Sequence, residues 1–193
     1  SPALLSLPLD FPRQASSDNS GKQVPFELDA KLARQIKSFC EKHGVTVYAY
    51  LMTVYHILLA RLSGQDDILV GTPSANRNRH EVEPLVGLFV NTLVIRSYHD
   101  RTVNFKSLLN QISHNITEAL EYQELPFQKL VDEIQPDRNI SHTPIFQTMF
   151  AFMETEVEKL KLHNMDATVF PVSSGTTKFD LTMSLVEEGT QLW

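Results

Sequence analysis

Val86-Gly87-Leu88-Phe89-Val90-Asn91-Thr92-Leu93-Val94-Ile95-Arg96 holds the best strand candidate in the chain. From Phe89 to Ile95 it is β-branched and apolar at both parities, which predicts a strand covered on two faces. Upstream lies a polar loop from Ser74 to Pro84 containing Asn76-Arg77-Asn78-Arg79. Before that loop, Ile68-Leu69-Val70 sits between Gln65-Asp66-Asp67 and Gly71-Thr72-Pro73, and predicts a short buried strand. Downstream, Asn104 is placed to cap a helix with Phe105, Leu108, Leu109, Ile112, Ile116 and Leu120 at helical period. Pro126 opens another, carrying Phe127, Leu130, Val131 and Ile134, which Pro136 closes.

Farther out, Asp29 precedes Leu32, Ile36, Phe39 and Cys40 in a helix ended by Gly44, and Thr46 precedes a broad apolar face from Val47 to Leu62 stopped at Ser63-Gly64. Ile145 to Met153 and Lys178 to Val186 are further strand-like runs, separated by a charged stretch and the turn region Ser173-Ser174-Gly175-Thr176. Ser1 to Pro25 is rich in proline, serine and other turn formers and reads as a linker (1–25) entering a domain (26–193) that starts with the extended Val24-Pro25-Phe26-Glu27-Leu28. The expected fold class is α/β, a two-layer sandwich of helices on a mixed β-sheet.

The 193 residues are 42% hydrophobic, enough for one core, and 17 basic against 23 acidic residues leave a net charge of -6 with no cationic field for nucleic acid or membrane surface. The single cysteine, Cys40, falls on an apolar helix face and reads as a small core hydrophobe, which fits a cytoplasmic protein; no run approaches the roughly 20 residues needed to cross a bilayer. None of the seven histidines falls in a metal-ligand spacing, and no phosphate-binding Gly loop or nucleophile elbow is present, so no metal site is expected. A lone histidine on a helix face, such as His56, reads as packed or solvated rather than catalytic.

Set in order, the opening stretch, Tyr122-Gln123-Glu124-Leu125-Pro126-Phe127-Gln128 and Arg138-Asn139-Ile140-Ser141-His142-Thr143-Pro144-Ile145 resemble the Gly-x-Phe-Val-Asn-Thr, Gln-Asp-x-Pro-Phe-Glu and Arg-Asp-x-Ser-x-x-Pro-Leu motifs of condensation domains of nonribosomal peptide synthetases. Leu7-Pro8-Leu9-Asp10-Phe11-Pro12-Arg13, Val70-Gly71-Thr72-Pro73, Asn76-Arg77, Pro144 to Phe150 and Lys178-Phe179-Asp180-Leu181-Thr182 extend the likeness over nearly the whole chain. The departures are Glu124, Gln128 and Asn139. The family's His-His-x-x-x-Asp-Gly motif, which carries its catalytic histidine, does not occur here.

The resemblance implies the acceptor-side, C-terminal lobe of such a domain, with a chloramphenicol-acetyltransferase-like fold, cut before a final strand and helix. The intact domain would be a peptide-bond-forming acyltransferase: an aminoacyl amine attacks an acyl thioester, each tethered to a carrier protein through phosphopantetheine. Expected partners are the N-terminal lobe, peptidyl carrier proteins and a neighbouring adenylation domain. Alone, the chain is expected to be inactive and, through an exposed apolar docking surface, to self-associate. A heterocyclisation or epimerisation relative, or a noncatalytic carrier-protein-binding module, are the competing readings.

Carried onto these residues, the resemblance makes Asn91, Ser173, Ser174 and Lys178 candidates for lining the substrate tunnel. For Asn91 two readings stand, an amide that bonds substrate or the facing lobe and one that satisfies backbone at a strand edge. Gly87, Phe89, Arg96, Pro126, Phe127, Arg138, Ser141 and Pro144 read as structural: Arg96 paired with a carboxylate, Pro126 and Phe127 as helix start and buried anchor, Arg138 and Ser141 in a turn before a strand. The Asn76 to Arg79 loop is a weaker candidate for contact with an acidic carrier surface.

Overall fold

The computed structural model describes residues 4–12, 19–100, 102–134, 143–154, 172–188 and 191–192. The helices form where caps and periodicity put them. In α1 (Ala30–His43) the Asp29 carboxylate accepts from the Lys31 and Leu32 amides at 2.8 and 3.2 Å, a cap worth about 1 kcal/mol. Thr46 caps α2 (Val47–Ser63) through the Ala49 amide at 3.0 Å, and Asn104 caps α3 (Phe105–Glu121) through the Ser107 amide at 3.0 Å. Gly44 and Gly64 end α1 and α2 at φ 64° and 70°, the left-handed conformation that a Cβ disfavours. A short α4 (Phe127–Ile134) follows Pro126.

Five strands, β1 (Asp67–Ser74), β2 (Asn91–Tyr98), β3 (Thr148–Glu154), β4 (Leu181–Glu188) and β5 (Gln191–Leu192), form one mixed sheet in the order β2-β1-β3-β4-β5. β1 pairs antiparallel with β2, parallel with β3, and β3 parallel with β4; β4 pairs antiparallel with β5. Ile68, Val70, Ile95, Phe150, Leu185 and Leu192 meet α1, α2 and α3 in the main core, which includes the buried Cys40. On the opposite face a smaller core gathers Val131, Ile145 and Phe146 with Leu69, Val94, Phe127, Met149 and Phe179. The expected α/β class, helices packed on one mixed sheet, holds, with the short α4 on the face opposite α1, α2 and α3.

The strand boundaries differ from the sequence reading. β2 begins at Asn91, not Phe89, and is an edge strand among the described residues; Leu93, Ile95 and Ser97 are buried while Arg96 and Tyr98 are exposed. Its apolar even-numbered position, Val94, packs on the smaller core, which gave the run its two-faced look. β1 is longer than Ile68–Val70, and β3 starts at Thr148 because Ile145 sits at φ 71° in a tight turn in which the Phe146 amide donates to Pro144 O at 2.9 Å. α2 is less buried than its composition suggests, with Val54, Leu58 and Leu62 at the surface. Arg138, Ser141 and Pro136 lie outside the described residues.

The segment before α1 lies on the fold: Leu5 and Leu7 pack on the main core, and the Leu5 amide donates to Gln147 Oε1 at 2.8 Å. Gln147, only 4% exposed, also donates to Thr143 O at 3.3 Å within its own turn and its backbone oxygen receives the Asp180 amide, so one residue ties two distant segments to that turn. Among the described residues no single helix is long and apolar enough to cross a membrane.

Candidate functional site

Asn91 opens β2 opposite Ser74, the last residue of β1, at the end of the sheet where α3 gives way to α4. Its Nδ2 donates to Gln123 O at 2.8 Å and Leu125 O at 2.7 Å, and its Oδ1 accepts from the Phe127 amide at 3.1 Å. Both amide hydrogens are therefore spent on the α3–α4 connection. Ser74 Oγ donates to Gln123 Oε1 at 2.7 Å, fixing the side chain of a residue whose backbone Asn91 already holds. Glu124 receives Asn78 Nδ2 at 3.1 Å and both Nε and Nη2 of Arg79 at 3.2 Å. Those donors hold the Glu124 carboxyl below the usual carboxylate range. Three stretches far apart in sequence, 70–79, 86–96 and 122–128, thus form one hydrogen-bonded unit.

The loop between β1 and β2 is braced from inside. Arg77 donates to Val82 O and Glu83 O, and its guanidinium lies 4.4 Å from the centre of the Phe89 ring. Both loop arginines are engaged within the chain, which weakens the reading that they await an acidic partner. Beyond the brace, Leu85, Val86, Leu88 and Val90 are exposed, Val86 and Leu88 almost fully. Gly87 lies in this exposed stretch, with Phe89 beside it.

Phe127 leads from the Asn91 clasp into the smaller core, where its ring centre is 5.5 Å from that of Phe146; Phe146 in turn stacks on Phe179 at 5.3 Å. Gly71 makes room for this: a Cβ there would lie 2.3 Å from Phe146 Cε2. Pro144 sets the turn that aims Phe146 at Gly71. Sequence reading missed Gly71, Ser74, Gln123 and Phe146, although a glycine inside a β-branched run is itself a sign of close approach.

Arg96 makes the expected ion pair, its Nε and Nη2 each 2.8 Å from an Asp67 carboxylate oxygen. The Arg96 side chain is 62% exposed, so Arg96→Ala is expected to shift urea-unfolding stability by less than about 1 kcal/mol.

Ser173, Ser174 and Lys178 are exposed. Ser173 Oγ accepts from the Gly175 amide, and Ser174 Oγ lies 2.8 Å from Thr176 Oγ1. The turn is laced to the entering segment by the Ser20–Thr176 bridge, with Gly21 N donating to Gly175 O at 2.9 Å. The route from this turn to Asn91 runs through Phe179, Phe146 and Phe127; among the described residues no hydrogen bond brings the serines or Lys178 beside Asn91.

A second polar cluster lies in the main core. His56 of α2 is 0% exposed, its Nδ1 2.6 Å from Ser97 Oγ, and Ser97 Oγ lies 3.0 Å from His99 Nε2. A serine beside a histidine has the look of a nucleophile and base, but Ser97 is 2% exposed and enclosed by both rings, so no acyl group reaches it. Burial lowers the His56 pKa from 6.5 to about 3. The unfolded chain therefore binds a proton that the folded chain refuses, and stability present above pH 6.5 is lost as pH falls toward 3. Urea unfolding is expected to show about 2 kcal/mol less stability from this group at pH 5 than at pH 7.5, a slope that His56→Leu removes. Among the described residues no group of His, Cys, Asp and Glu is arranged to hold a metal ion.

Comparison with known proteins gives these features their family. The condensation-domain family model matches residues 2–192, and the chain belongs to the condensation-domain family. It is 41% identical over 187 residues to malpinin synthetase of Mortierella alpina and 34% identical over 187 residues to tyrocidine synthase 3 of Brevibacillus parabrevis, with 97% of this chain covered in each case. It spans only 2% and 3% of those proteins. Among solved structures, a four-domain nonribosomal peptide synthetase bound to AMP and glycine superposes with a TM-score of 0.90 at 23% identity, over 100% of this chain and 16% of that one. The condensation domain of the monacolin K polyketide synthase MokA gives 0.84 at 23% identity, over 98% of this chain and 46% of that one. The fold is that of one part of a condensation domain.

Proposed function

We propose that this chain is the acceptor-side lobe of a condensation domain that joins a carrier-tethered acyl or peptidyl donor to a carrier-tethered aminoacyl acceptor. The carrying observation is the family match over 2–192 together with the convergence of the 70–79, 86–96 and 122–128 stretches on Asn91. In that reaction the amine nitrogen attacks the thioester carbonyl, the C–N bond forms, and the donor carrier's thiolate leaves and takes a proton. Holding both phosphopantetheine arms in one tunnel raises their effective concentration, a substantial part of such an acceleration. This chain supplies the scaffold of one wall; the histidine that serves the amine belongs to the facing lobe. Carrier proteins supply the phosphopantetheine, an adenylation domain is the neighbour, and the cytoplasm is the compartment.

The exposed Leu85, Val86, Leu88 and Val90, on a loop whose base is pinned by Arg77 and Arg79, form an apolar arm that the N-terminal lobe would cover. Without that lobe the chain is expected to self-associate, and Val86→Asp with Leu88→Asp to lower the association measured by sedimentation at least several-fold.

The function is tested by mixing the chain with its complementary N-terminal half, carrying His-His-x-x-x-Asp-Gly, and loaded donor and acceptor carriers, then measuring amide product by mass spectrometry. Product only with both halves is the expected result. Turnover by this chain alone overturns its dependence on the facing lobe, and carrier binding with no turnover in the reconstituted domain overturns the enzyme reading in favour of a noncatalytic binding module.

A further inference from the structure

The His56, Ser97 and His99 cluster contains a proton-counting constraint. A serine hydroxyl has one hydrogen, so Ser97 donates to one imidazole and accepts from the other. His56 Nε2 is buried without a hydrogen-bond partner. If Ser97 donates to His56 Nδ1, the His56 proton must sit on Nε2 and an N–H is left unpaired in the apolar core. If His56 Nδ1–H donates to Ser97, Nε2 is a bare lone pair, the lesser loss, and Ser97 donates to His99 Nε2. The second arrangement is the neutral-pH state.

His99 is partly exposed and stacks on His56 with ring centres 6.1 Å apart. Protonating His99 at Nε2 turns that nitrogen from acceptor to donor. The Ser97 hydrogen then has only His56 Nδ1 to go to. We propose that Ser97 couples His99 to the buried His56, so that a solvent proton taken up at His99 moves the proton on His56 from Nδ1 to Nε2 and loosens α2 from β1 and β2. One proton is gained overall, at His99; the count on His56 is unchanged and only its position moves.

The surroundings fit a sensor rather than an ion pair. Burial holds the His99 pKa below the ordinary imidazole value, and the charge of Asp66, which just precedes β1 and accepts the His99 amide through its backbone oxygen at 2.6 Å, offsets part of that effect. Asp67 is taken up by Arg96 of β2. α3 turns Leu109, Ile112 and Ile116 inward and Lys106, His114 and Glu118 outward, while its Asn115 amide donates to Arg96 O. α1 engages Lys37 with Glu187 of β4, and Arg61 of α2 itself is exposed.

The test is a titration of the full chain followed by imidazole 15N resonances and by amide exchange in α2, with His99→Gln and Ser97→Ala beside it. In the unsubstituted protein the His56 change from Nδ1–H to Nε2–H is expected to share one midpoint with His99, and exchange in α2 to quicken below it. His99→Gln keeps an acceptor for Ser97 at a partly exposed site, so His56 should hold its Nδ1–H at every pH with no step in α2 exchange. In Ser97→Ala, His99 should titrate without changing His56. A proton on His56 Nε2 at neutral pH, a His56 tautomer that ignores His99, α2 exchange that does not change across the midpoint, or an unaltered switch in His99→Gln or Ser97→Ala overturns the proposal.

Discussion

Replacing Gly71 with alanine is expected to lower the stability of the chain by about 3 kcal/mol and its melting temperature by roughly 6–12 °C. The added methyl would lie 2.3 and 2.4 Å from Phe146 Cε2 and Cζ, where no carbon is tolerated. Phe146 is 2% exposed and held between Phe127 and Phe179, so its ring has nowhere to swing, and the β1 backbone is held on both sides by β2 and β3. The clash must be relieved by opening the smaller core. Combining Gly71→Ala with Phe146→Leu gives the discriminating measurement: the pair should be more stable than the sum of the two single losses, because the shorter side chain vacates the space the methyl needs. Strict additivity by calorimetry would show that the two positions are not in contact.

Asn91→Asp is expected to be worse than Asn91→Ala, the reverse of what volume predicts. Alanine leaves Gln123 O, Leu125 O and the Phe127 amide to find water at a partly open site, a loss of about 2 kcal/mol. Aspartate keeps the acceptor for Phe127 but turns an oxygen toward two carbonyl oxygens at the distances now occupied by N–H donors, 2.8 and 2.7 Å. Repulsion brings the penalty to about 3–4 kcal/mol at neutral pH. Protonating that carboxyl restores one donor, so the sign of the pH dependence is fixed: the folded-state pKa is raised, and part of the lost stability returns as pH falls through it. Equilibrium unfolding at pH 7.5 and pH 5.5, with Asn91→Ala as the reference, reads this directly; an aspartate variant no worse than alanine would mean that Asn91 does not clasp the α3–α4 connection. In the reconstituted domain both variants should lower amide formation.

The helices were legible because their signals are local. Asp29, Thr46 and Asn104 bond amides two or three residues away, and Gly44 and Gly64 act within one turn. The strands were legible as existing and not as bounded, since pairing partners decide where a strand starts: the apolar run from Val86 continues without a break into β2, yet only from Asn91 is there a β1 residue opposite. The same limit applies to the site. That Asn91 is polar in an apolar run marks it, but its partners are 32 to 36 residues away, and no pattern in one sequence says which carbonyls it meets. Arg96 was easier, because a charge ending an apolar strand wants a carboxylate and Asp67 stands across the sheet. The Ser97 bridge between His56 and His99 was invisible for the opposite reason: each residue is unremarkable alone, and the cluster exists only because the fold brings His56 of α2 against Ser97 of β2.

The sheet order carries a consequence for how the chain is made on the ribosome. β1 and β2 can pair as soon as residue 98 has emerged, but the other edge of β1 receives β3, whose residues start at 148. For some fifty residues of synthesis, a time of roughly 3–10 s at ordinary elongation rates, β1 presents an open row of backbone donors and acceptors beside the Gly71 groove that Phe146 has yet to fill. Parallel pairings of this kind close slowly even in a finished chain. The nascent chain is therefore most exposed to mispairing between the birth of α3 and the arrival of β3, and holdase chaperones have a defined interval in which to act.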